Sequence, residues 1–186
     1  MTDLHQEKNL VKNAQKDPEA FGLIFDKYYD RIFGYVMRRV ANPEIAKDII
    51  SEVFFKAFTN LWKFRWRNIS IAAWLYKIAT NEVNYFFRKN KYKTVSLNRM
   101  MDENGLEPVS SDGTMEEEII NAETILNNHQ KYLEIQKKIT EMPVKYQEVI
   151  SLRFFESKSI KEISEILNKK EGTVKSLLSR GINNLR

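Results

Sequence analysis

Apolar side chains recur every three or four positions along most of the chain, the spacing that puts them on one face of an α-helix. The first such stripe follows Asp17-Pro18-Glu19 and holds Phe21, Phe25, Tyr28, Ile32 and Val36. The second follows Asn42-Pro43-Glu44 and holds Ala46, Ile49, Ile50, Val53, Ala57 and Leu61. Both begin with a capping residue and a proline, which favour a helix start. A third helix is predicted from about Ser70 to Lys89, and a weaker one around Leu4 to Ala14.

The periodic pattern stops after the third helix and resumes near the C-terminus. Residues 94–115 contain Gly105, Pro108, Gly113 and several acids, a composition typical of a linker, and Thr114 with Glu117 resembles a capping box. Beyond Pro143, helices are predicted at about 144–155, 159–167 and 171–185. We therefore predict an all-α fold: an N-terminal helical bundle at 1–93 and a C-terminal helix-turn-helix domain at 129–186, joined by a flexible acidic linker at 94–128.

The last two predicted helices have the pattern of a helix-turn-helix. The first carries Ile160, Ile163, Ile166 and Leu167 inward, and the second carries Val174, Leu178 and Leu185 inward. Asn168 in the turn between them tolerates the left-handed backbone that such a turn needs. The outward face of the second helix presents small polar and cationic side chains suited to the DNA major groove: Thr173, Lys175, Ser176, Ser179 and Arg180. The alternative interpretation is an ordinary three-helix unit with a solvated basic face.

The net charge of +5 is the sum of blocks along the chain that differ in sign. Residues 1–61 hold 9 basic and 9 acidic side chains, and residues 62–99 hold 9 basic and 1 acidic. Residues 100–134 reverse this with 1 basic and 9 acidic, whereas residues 135–186 hold 11 and 6. Two basic blocks separated by an acidic one indicate two anion-binding surfaces and a segment between them that avoids nucleic acid.

The first basic block also interleaves aromatic rings with cations, from Trp62 to Arg67 and again from Tyr85 to Lys93. Single-stranded nucleic acid favours this mixture, because unstacked bases lie on rings while cations follow the phosphates. Phe64 and Trp66 have little apolar company and are candidates for base stacking. Trp74 and Phe86 fall at core spacing, so we expect them to pack inside the bundle.

Other classes of chemistry have little support in the sequence. The chain has no cysteine, which excludes disulfides and thiolate metal sites. His5 and His129 lie in polar surroundings with no paired-carboxylate site, so no catalytic residue, metal or cofactor is expected. No signal peptide and no apolar run of about 20 residues is visible, so we expect a cytoplasmic protein without membrane insertion.

Three runs together resemble the sigma-70 family of RNA polymerase sigma factors, in particular its extracytoplasmic-function (ECF) group. Ala46 to Phe54 is similar to the family's polymerase-docking helix, and Ala73 to Asn81 is similar to its promoter-melting segment. Met142 to Ile150, followed by Glu171 to Ser176, is similar to its reader of the upstream promoter element. The three runs occur in the family's order and spacing.

The resemblance implies a role for each part of the chain. The helix from Pro43 to Trp62 would dock on the clamp helices of the largest polymerase subunit through Asp48, Ser51, Glu52 and Phe55. Single-stranded and −10 promoter DNA would be bound by Phe64, Trp66, Asn81, Arg88 and Lys89. Duplex DNA of the −35 element would be bound by Arg153, Thr173, Lys175, Ser176, Ser179 and Arg180. An anti-sigma factor is expected as a further partner.

The sequence departs from the family pattern at a few of these positions. Ser51 stands where glutamine is common, and Asn84 stands where many members have aspartate. Lys169, Lys170 and Leu177 depart from the usual residues of the helix-turn-helix. Two alternative functions remain at this stage: a conventional helix-turn-helix regulator, which would bind duplex operators as a dimer, and a helical interaction protein with no nucleic-acid role.

Overall fold

The computed structural model describes residues 2–66, 70–91 and 134–185. These residues form eight helices: α1 (Thr2–Ala14), α2 (Phe21–Val40), α3 (Pro43–Asn60), α4 (Ile71–Lys91), α5 (134–141), α6 (Val144–Ile150), α7 (Ile160–Leu167) and α8 (Glu171–Leu185). We refer to the described residues up to 91 as the N-terminal module and to 134–185 as the C-terminal module. The all-α prediction is confirmed. The predicted linker and the Thr114–Glu117 capping box lie outside the described residues.

The helix starts follow the capping signals of the sequence. The Asn42 side chain accepts a hydrogen bond from the Ile45 backbone N–H at 3.0 Å, and α3 begins at the proline after it. Asp17 caps a short 3₁₀ turn, Pro18–Ala20, so α2 begins at Phe21, slightly later than the proline signal alone indicates. The α2 helix ends at Val40, because the next residue, Ala41, has a positive φ of 49° that breaks the helical path.

The core of the N-terminal module lies between α2, α3 and α4. Ile24, Ile32, Val53 and Leu75 are almost fully buried there, and burial of such side chains stabilises a domain by about 1.5–3 kcal/mol each. Phe25 was predicted to face inward, but it is 38% exposed because its ring lies at the edge of the bundle against Tyr29 and Phe54. No helix in the described part of the chain is long and apolar enough to cross a bilayer.

The C-terminal module is built around the predicted helix-turn-helix. Helix α6 continues into a π-helical turn, Ser151–Phe155, before α7 begins. Ser159 and Glu162 form the predicted capping box at the start of α7, and Asn168 adopts the predicted left-handed conformation at its end, with φ of 52°. Ile163, Val174 and Leu178 are buried between the helices. Other inward candidates are only half-buried: Ile160, Leu167 and Leu185.

The two modules are packed against each other. The π turn contacts α2, and α7 contacts α4. Buried apolar residues from both modules join in one continuous cluster. The Gln136 side chain adds a hydrogen bond to the Met37 backbone oxygen at 3.3 Å. This arrangement brings the C-terminal module beside the aromatic and basic segment of the N-terminal module.

Candidate nucleic-acid and polymerase interfaces

The four candidate polymerase contacts lie on one exposed face of α3. Asp48, Ser51, Glu52 and Phe55 follow the spacing i, i+3, i+4 and i+7, which aligns side chains along a helix. Phe55 is 62% exposed, unusual for a phenylalanine of a packed bundle. The Ser51 hydroxyl donates to the Lys47 backbone oxygen at 2.9 Å, so its hydrogen is already used within the helix. This face offers an acidic, polar and aromatic surface to a partner.

The α3–α4 connection, residues 61–70, carries Phe64 and Trp66. The Gln15 amide at the end of α1 donates to the backbone oxygens of Leu61 and Phe64, at 2.9 and 3.0 Å. The Glu7 carboxylate accepts from the Ser70 hydroxyl at 2.7 Å, which ties the far end of the connection to α1 as well. Helix α1 thereby holds the connection against the bundle. This role was not predicted, because neither Gln15 nor Glu7 belongs to an apolar stripe of the sequence.

A cavity of about 460 Å³ lies between the connection, α3 and α4. Its walls combine aromatic, amide and charged side chains: Lys56, Asn60, Lys63, Phe64, Trp74, Ile78, Asn81 and Glu82. The volume falls within the roughly 300–1,000 Å³ of typical small-molecule sites. Lys56 pairs with Glu82 at 2.6 Å, whereas Lys63 donates to Asn60 at 3.2 Å and lies over the Trp62 ring. The cavity thus has aromatic rings on one part of its wall and hydrogen-bonding side chains on another.

The predicted −10 residues divide into two sets around this cavity. Phe64 and Asn81 are brought together as lining residues. Trp66 lies outside the lining, with its ring edge-on to Phe64 at 6.3 Å. Arg88 and Lys89 are exposed in the last turns of α4, also outside it. The structure therefore groups two of the five candidates in one cavity, whereas Trp66 is half-buried against the core beside it and Arg88 and Lys89 are exposed.

Trp74 was expected to pack in the core, but it is half-buried and forms part of the cavity wall. Its ring lies 5.2 Å from that of Phe64, at 52°. Trp74, Ile78 and Asn81 follow the spacing i, i+4 and i+7, so all three lie on one face of α4. That shared spacing with Asn81 was the signal in the sequence that identified Trp74 as a cavity residue.

The candidate −35 contacts on α8 are all exposed: Thr173, Lys175, Ser176, Ser179 and Arg180. They cover the side of α8 opposite Val174 and Leu178, which are buried against the rest of the module. Arg153 is exposed on the π turn, where its guanidinium donates to the Lys158 backbone oxygen at 3.0 Å. The α8 face is cationic and polar, as a helix that enters the major groove should be.

Comparison with known proteins assigns both modules to the same family. Residues 24–92 match the family described as Sigma-70 region 2, and residues 132–185 match Sigma-70, region 4. The chain is 35% identical to the ECF RNA polymerase sigma factor SigW of Bacillus subtilis over 96% of this chain and 94% of that protein.

The fold is also similar to solved structures. One is CnrH in complex with the cytosolic domain of CnrY, with a TM-score of 0.67 and 14% identity over 96% of this chain and 94% of that one. Another is the sigma factor RpoE in complex with the anti-sigma factor NepR from Bartonella quintana. It has a TM-score of 0.66 and 18% identity over 89% of this chain and 93% of that one. These likenesses support the helical architecture.

Proposed function

The chain belongs to the sigma-70 family of RNA polymerase sigma factors, in the ECF group, and on that premise we propose how its surfaces divide the work of initiation. The protein binds core RNA polymerase and directs promoter-specific transcription initiation. In our proposal, residues 1–93 dock on polymerase and open the −10 element, residues 94–128 connect the modules, and residues 129–186 read the −35 element.

The cavity between the connection and α4 is the observation that carries the strand-opening role. Phe64 and Trp74 supply rings on which an unstacked base can lie, and Asn81 supplies both a donor and an acceptor for a base edge. Stacking is worth about 1–3 kcal/mol per base, which offsets the few kcal/mol needed to extrude a base from duplex. The exposed cations of α4, Arg88 and Lys89, lie along the same helix to follow phosphates, and Trp66 extends the aromatic surface.

Polymerase docking and duplex recognition are proposed for two exposed helix faces. Asp48, Ser51, Glu52 and Phe55 on α3 are all accessible to the clamp helices of the largest polymerase subunit. On α8, Lys175 and Arg180 supply charge for phosphates or guanine edges. The neighbouring hydroxyls of Thr173, Ser176 and Ser179 can hydrogen-bond to phosphates or base edges. Arg153 is assigned a phosphate contact.

The proposal also includes a protein partner and a cellular compartment. An anti-sigma factor is proposed as a partner because both similar solved structures pair a helical protein with a second chain, named as an anti-sigma factor for RpoE. Initiation requires the chromosome and core polymerase, so we propose that the chain works in the cytoplasm as a non-enzymatic initiation factor.

A conventional helix-turn-helix regulator is not favoured as an alternative. The likeness to SigW extends over both modules, whereas a regulator would share only the DNA-binding unit. The cavity lined by Phe64, Trp74 and Asn81 also has no use in a protein that reads duplex DNA alone.

The experiment that tests the proposal is reconstitution. The purified chain and core polymerase transcribe a genomic library, start sites are mapped, and single-stranded thymines near each start are detected with permanganate. We expect new start sites that share −35 and −10 sequences, with permanganate-reactive bases at the −10 element. Initiation at no sites beyond those used by core polymerase alone would contradict the proposed function.

A further inference from the structure

Two polar side chains of the α1 segment are bonded to the walls of the cavity proposed for strand binding. Glu7 and Gln15 are eight residues apart, which places them about 12 Å apart along the helix axis. Gln15 bonds to the start of the α3–α4 connection, and Glu7 bonds to Ser70 at its end. Neither side chain lines the cavity itself. We call Glu7 and Gln15 the α1 brace.

The α1 brace is fixed to the bundle between its two polar contacts. Val11 and Ala14 are buried, at 3% and 7% exposure, and both belong to the apolar core. Gln15 continues the helical path beyond Ala14, because its backbone N–H donates to the Val11 backbone oxygen at 2.9 Å. Apolar burial therefore holds α1 in place, and the two polar side chains tie the connection to that fixed helix.

Gln15 fixes the part of the wall that carries Phe64. Its amide nitrogen donates to the backbone oxygens of Leu61 and Phe64, at 2.9 and 3.0 Å. Phe64 has an extended backbone, with ψ of 126°, so the helical hydrogen bonds end there. In the part of the connection that the structure describes, Gln15 is the one outside side chain that bonds to the backbone. The path of the chain at Phe64 therefore depends on this contact.

Glu7 fixes the first turn of α4. Its carboxylate accepts hydrogen bonds from the Ser70 hydroxyl and from the Tyr28 hydroxyl of α2. The Ser70 oxygen in turn accepts from the Ala72 backbone N–H at 3.1 Å, so Ser70 caps α4 while it donates to Glu7. A negative charge near a helix N-terminus is favourable. Trp74 lies one turn beyond Ser70 on the same face of α4, so the position of its ring follows from this cap.

The buried carboxylate of Glu7 contributes direction more than stability. Glu7 is 4% exposed, and no cation pairs with it among the residues that the structure describes. Only hydroxyl donors compensate the hydration that it loses, so burying it is costly compared with burying an apolar side chain. Hydrogen bonds are directional, whereas apolar contacts are not. The contact therefore defines where the first turn of α4 begins more precisely than apolar packing would.

We infer that the α1 brace positions the strand-binding site. Gln15 sets the Phe64 wall, Glu7 sets the Trp74 wall through Ser70, and the 5.2 Å separation of the two rings depends on both contacts. The inference rests on the proposed function for its consequence: affinity for an unpaired strand depends on two side chains that do not touch it. Polymerase docking uses the exposed face of α3 and is independent of the brace.

Hydrogen exchange in the free full-length chain tests the brace without any DNA. Gln15→Ala removes both donors without a change of charge. Amide exchange of residues 61–66, measured by mass spectrometry, should then rise about 3- to 10-fold, as expected for the loss of a hydrogen bond. Gln6→Ala makes the same change at another exposed glutamine of α1 and should keep the parent rate. Unchanged exchange in Gln15→Ala would overturn the inference, whether or not the chain initiates transcription.

The Glu7 contact is tested at Ser70, because replacing the buried carboxylate itself would disturb the packing of α1. Ser70→Ala removes the hydroxyl that donates to Glu7, whereas Ser70→Thr keeps a hydroxyl that can donate to Glu7 and cap α4. In the reconstituted holoenzyme, permanganate reactivity of the −10 element should fall about 3- to 10-fold in Ser70→Ala and return to the parent value in Ser70→Thr. The Kd for core polymerase should not change. Parent reactivity in Ser70→Ala would overturn the role of Glu7.

A double-mutant cycle determines whether Gln15 acts through Phe64. In the holoenzyme, Gln15→Ala should lower open-complex formation about 3- to 10-fold in the parent chain. The same change should have less than about a twofold effect in a Phe64→Ala background, because the ring that Gln15 positions is then absent. Equal losses in the two backgrounds would overturn the positioning role. A parent holoenzyme that initiates at no new sites, with exchange raised in Gln15→Ala, would instead contradict the proposed function alone.

Discussion

The rings of Phe64 and Trp74 lie 5.2 Å apart, one on the α3–α4 connection and the other on α4. The Gln15 amide holds the Phe64 carbonyl, and the Phe64 ring packs against the rings of Trp66 and Trp74, so both backbone and ring are restricted before any DNA is present. A preformed stacking wall lowers the entropic cost of capturing a base.

Phe64→Ala is expected to slow formation of the open promoter complex while leaving affinity for core polymerase unchanged. Loss of a ring that stacks on one base removes about 1–3 kcal/mol, equivalent to roughly a 5- to 150-fold lower rate or occupancy. Permanganate reactivity of the melted element measures the effect, and fluorescence anisotropy measures core binding. Normal permanganate reactivity in the variant would remove the connection from the strand-binding surface.

Phe55→Ala should weaken binding to core polymerase without removing any side chain of the proposed strand-binding cavity. Phe55 is 62% exposed on α3, so its removal should change the free energy of unfolding by no more than about 0.5 kcal/mol. An aromatic side chain that becomes buried in an interface commonly contributes more than about 1 kcal/mol, so the Kd for core polymerase should rise about tenfold. Leu23→Ala, a change at a 61% exposed apolar residue of α2, is the matched control and should leave this Kd unchanged.

Lys175→Ala and Arg180→Ala are expected to weaken binding to the −35 element within the holoenzyme. If either contacts a phosphate, the slope of log affinity against log salt should fall by about 0.9 for that variant. If either contacts a base edge, discrimination at one promoter position should fall by about 1–3 kcal/mol. Lys137→Ala on α5 removes the same charge from an exposed site. Its effect should be negligible, and equal losses in all three variants would indicate nonspecific attraction.

The capping box of α7 should make the stability of the chain depend on acid pH. Burial by itself would raise the pKa of Glu162, but hydrogen bonds from the Ser159 backbone and hydroxyl, with the Lys158 ammonium nearby, lower it below the ordinary value. A lowered pKa means that this stabilisation is complete above the unfolded-state value of about 4.5 and is lost as pH falls through the folded-state value.

Denaturant unfolding of the parent chain and of Glu162→Gln across this pH range measures that contribution. Glutamine can also complete a capping box, so the difference in unfolding free energy reflects the lost charge, about 0.3–1 kcal/mol at a helix N-terminus, and should be greatest near neutral pH and vanish in acid. A difference that stays constant with pH would assign the effect to packing instead of the carboxylate charge.

Two glycines of α8 should respond in opposite directions to alanine. A Cβ at Gly181 would lie 3.0 Å from Ile150 Cγ1, a buried side chain with little room to move. A Cβ at Gly172 would have no neighbour within 4 Å. We expect Gly181→Ala to destabilise the chain by about 1–3 kcal/mol and Gly172→Ala to stabilise it by up to about 1 kcal/mol. Thermal unfolding followed by circular dichroism distinguishes the two.

Much of the helical architecture was predictable because it depends on local signals. Asn42-Pro43 and the Ser159–Glu162 pair each satisfy backbone groups a few residues away, so the sequence alone indicates where α3 and α7 begin. The exposed α8 face followed from the same short-range periodicity. Asn168 was recognisable because few other residues tolerate a positive φ.

The features that sequence analysis missed depend on contacts between distant residues. Arg38 and Glu156 are far apart along the chain, and no local pattern in either helix indicates that they pair. Trp74 occupies an apolar stripe, and its spacing with Asn81 is a weak signal beside that stripe, so the position of Phe64 was needed to show that Trp74 lines a cavity. Gln15 has an unremarkable polar position in the sequence, although its amide bonds to two carbonyls of the connection.

The π turn at 151–155 sets the direction of the two carboxylates that contact the N-terminal module. Glu148 and Glu156 are eight positions apart, which on an unbroken α-helix leaves them about 80° out of alignment. The Glu156 N–H donates to the Ser151 backbone oxygen, five residues earlier, at 3.2 Å. A π turn of this kind rotates the chain less per residue than an α-helix does, so it brings the two carboxylates closer to the same side. Deleting one residue from the turn would therefore rotate one carboxylate away from its partners and would also displace Arg153, which lies on the turn. Such a deletion would weaken the contact between the two modules while leaving the exposed face of α8 unchanged.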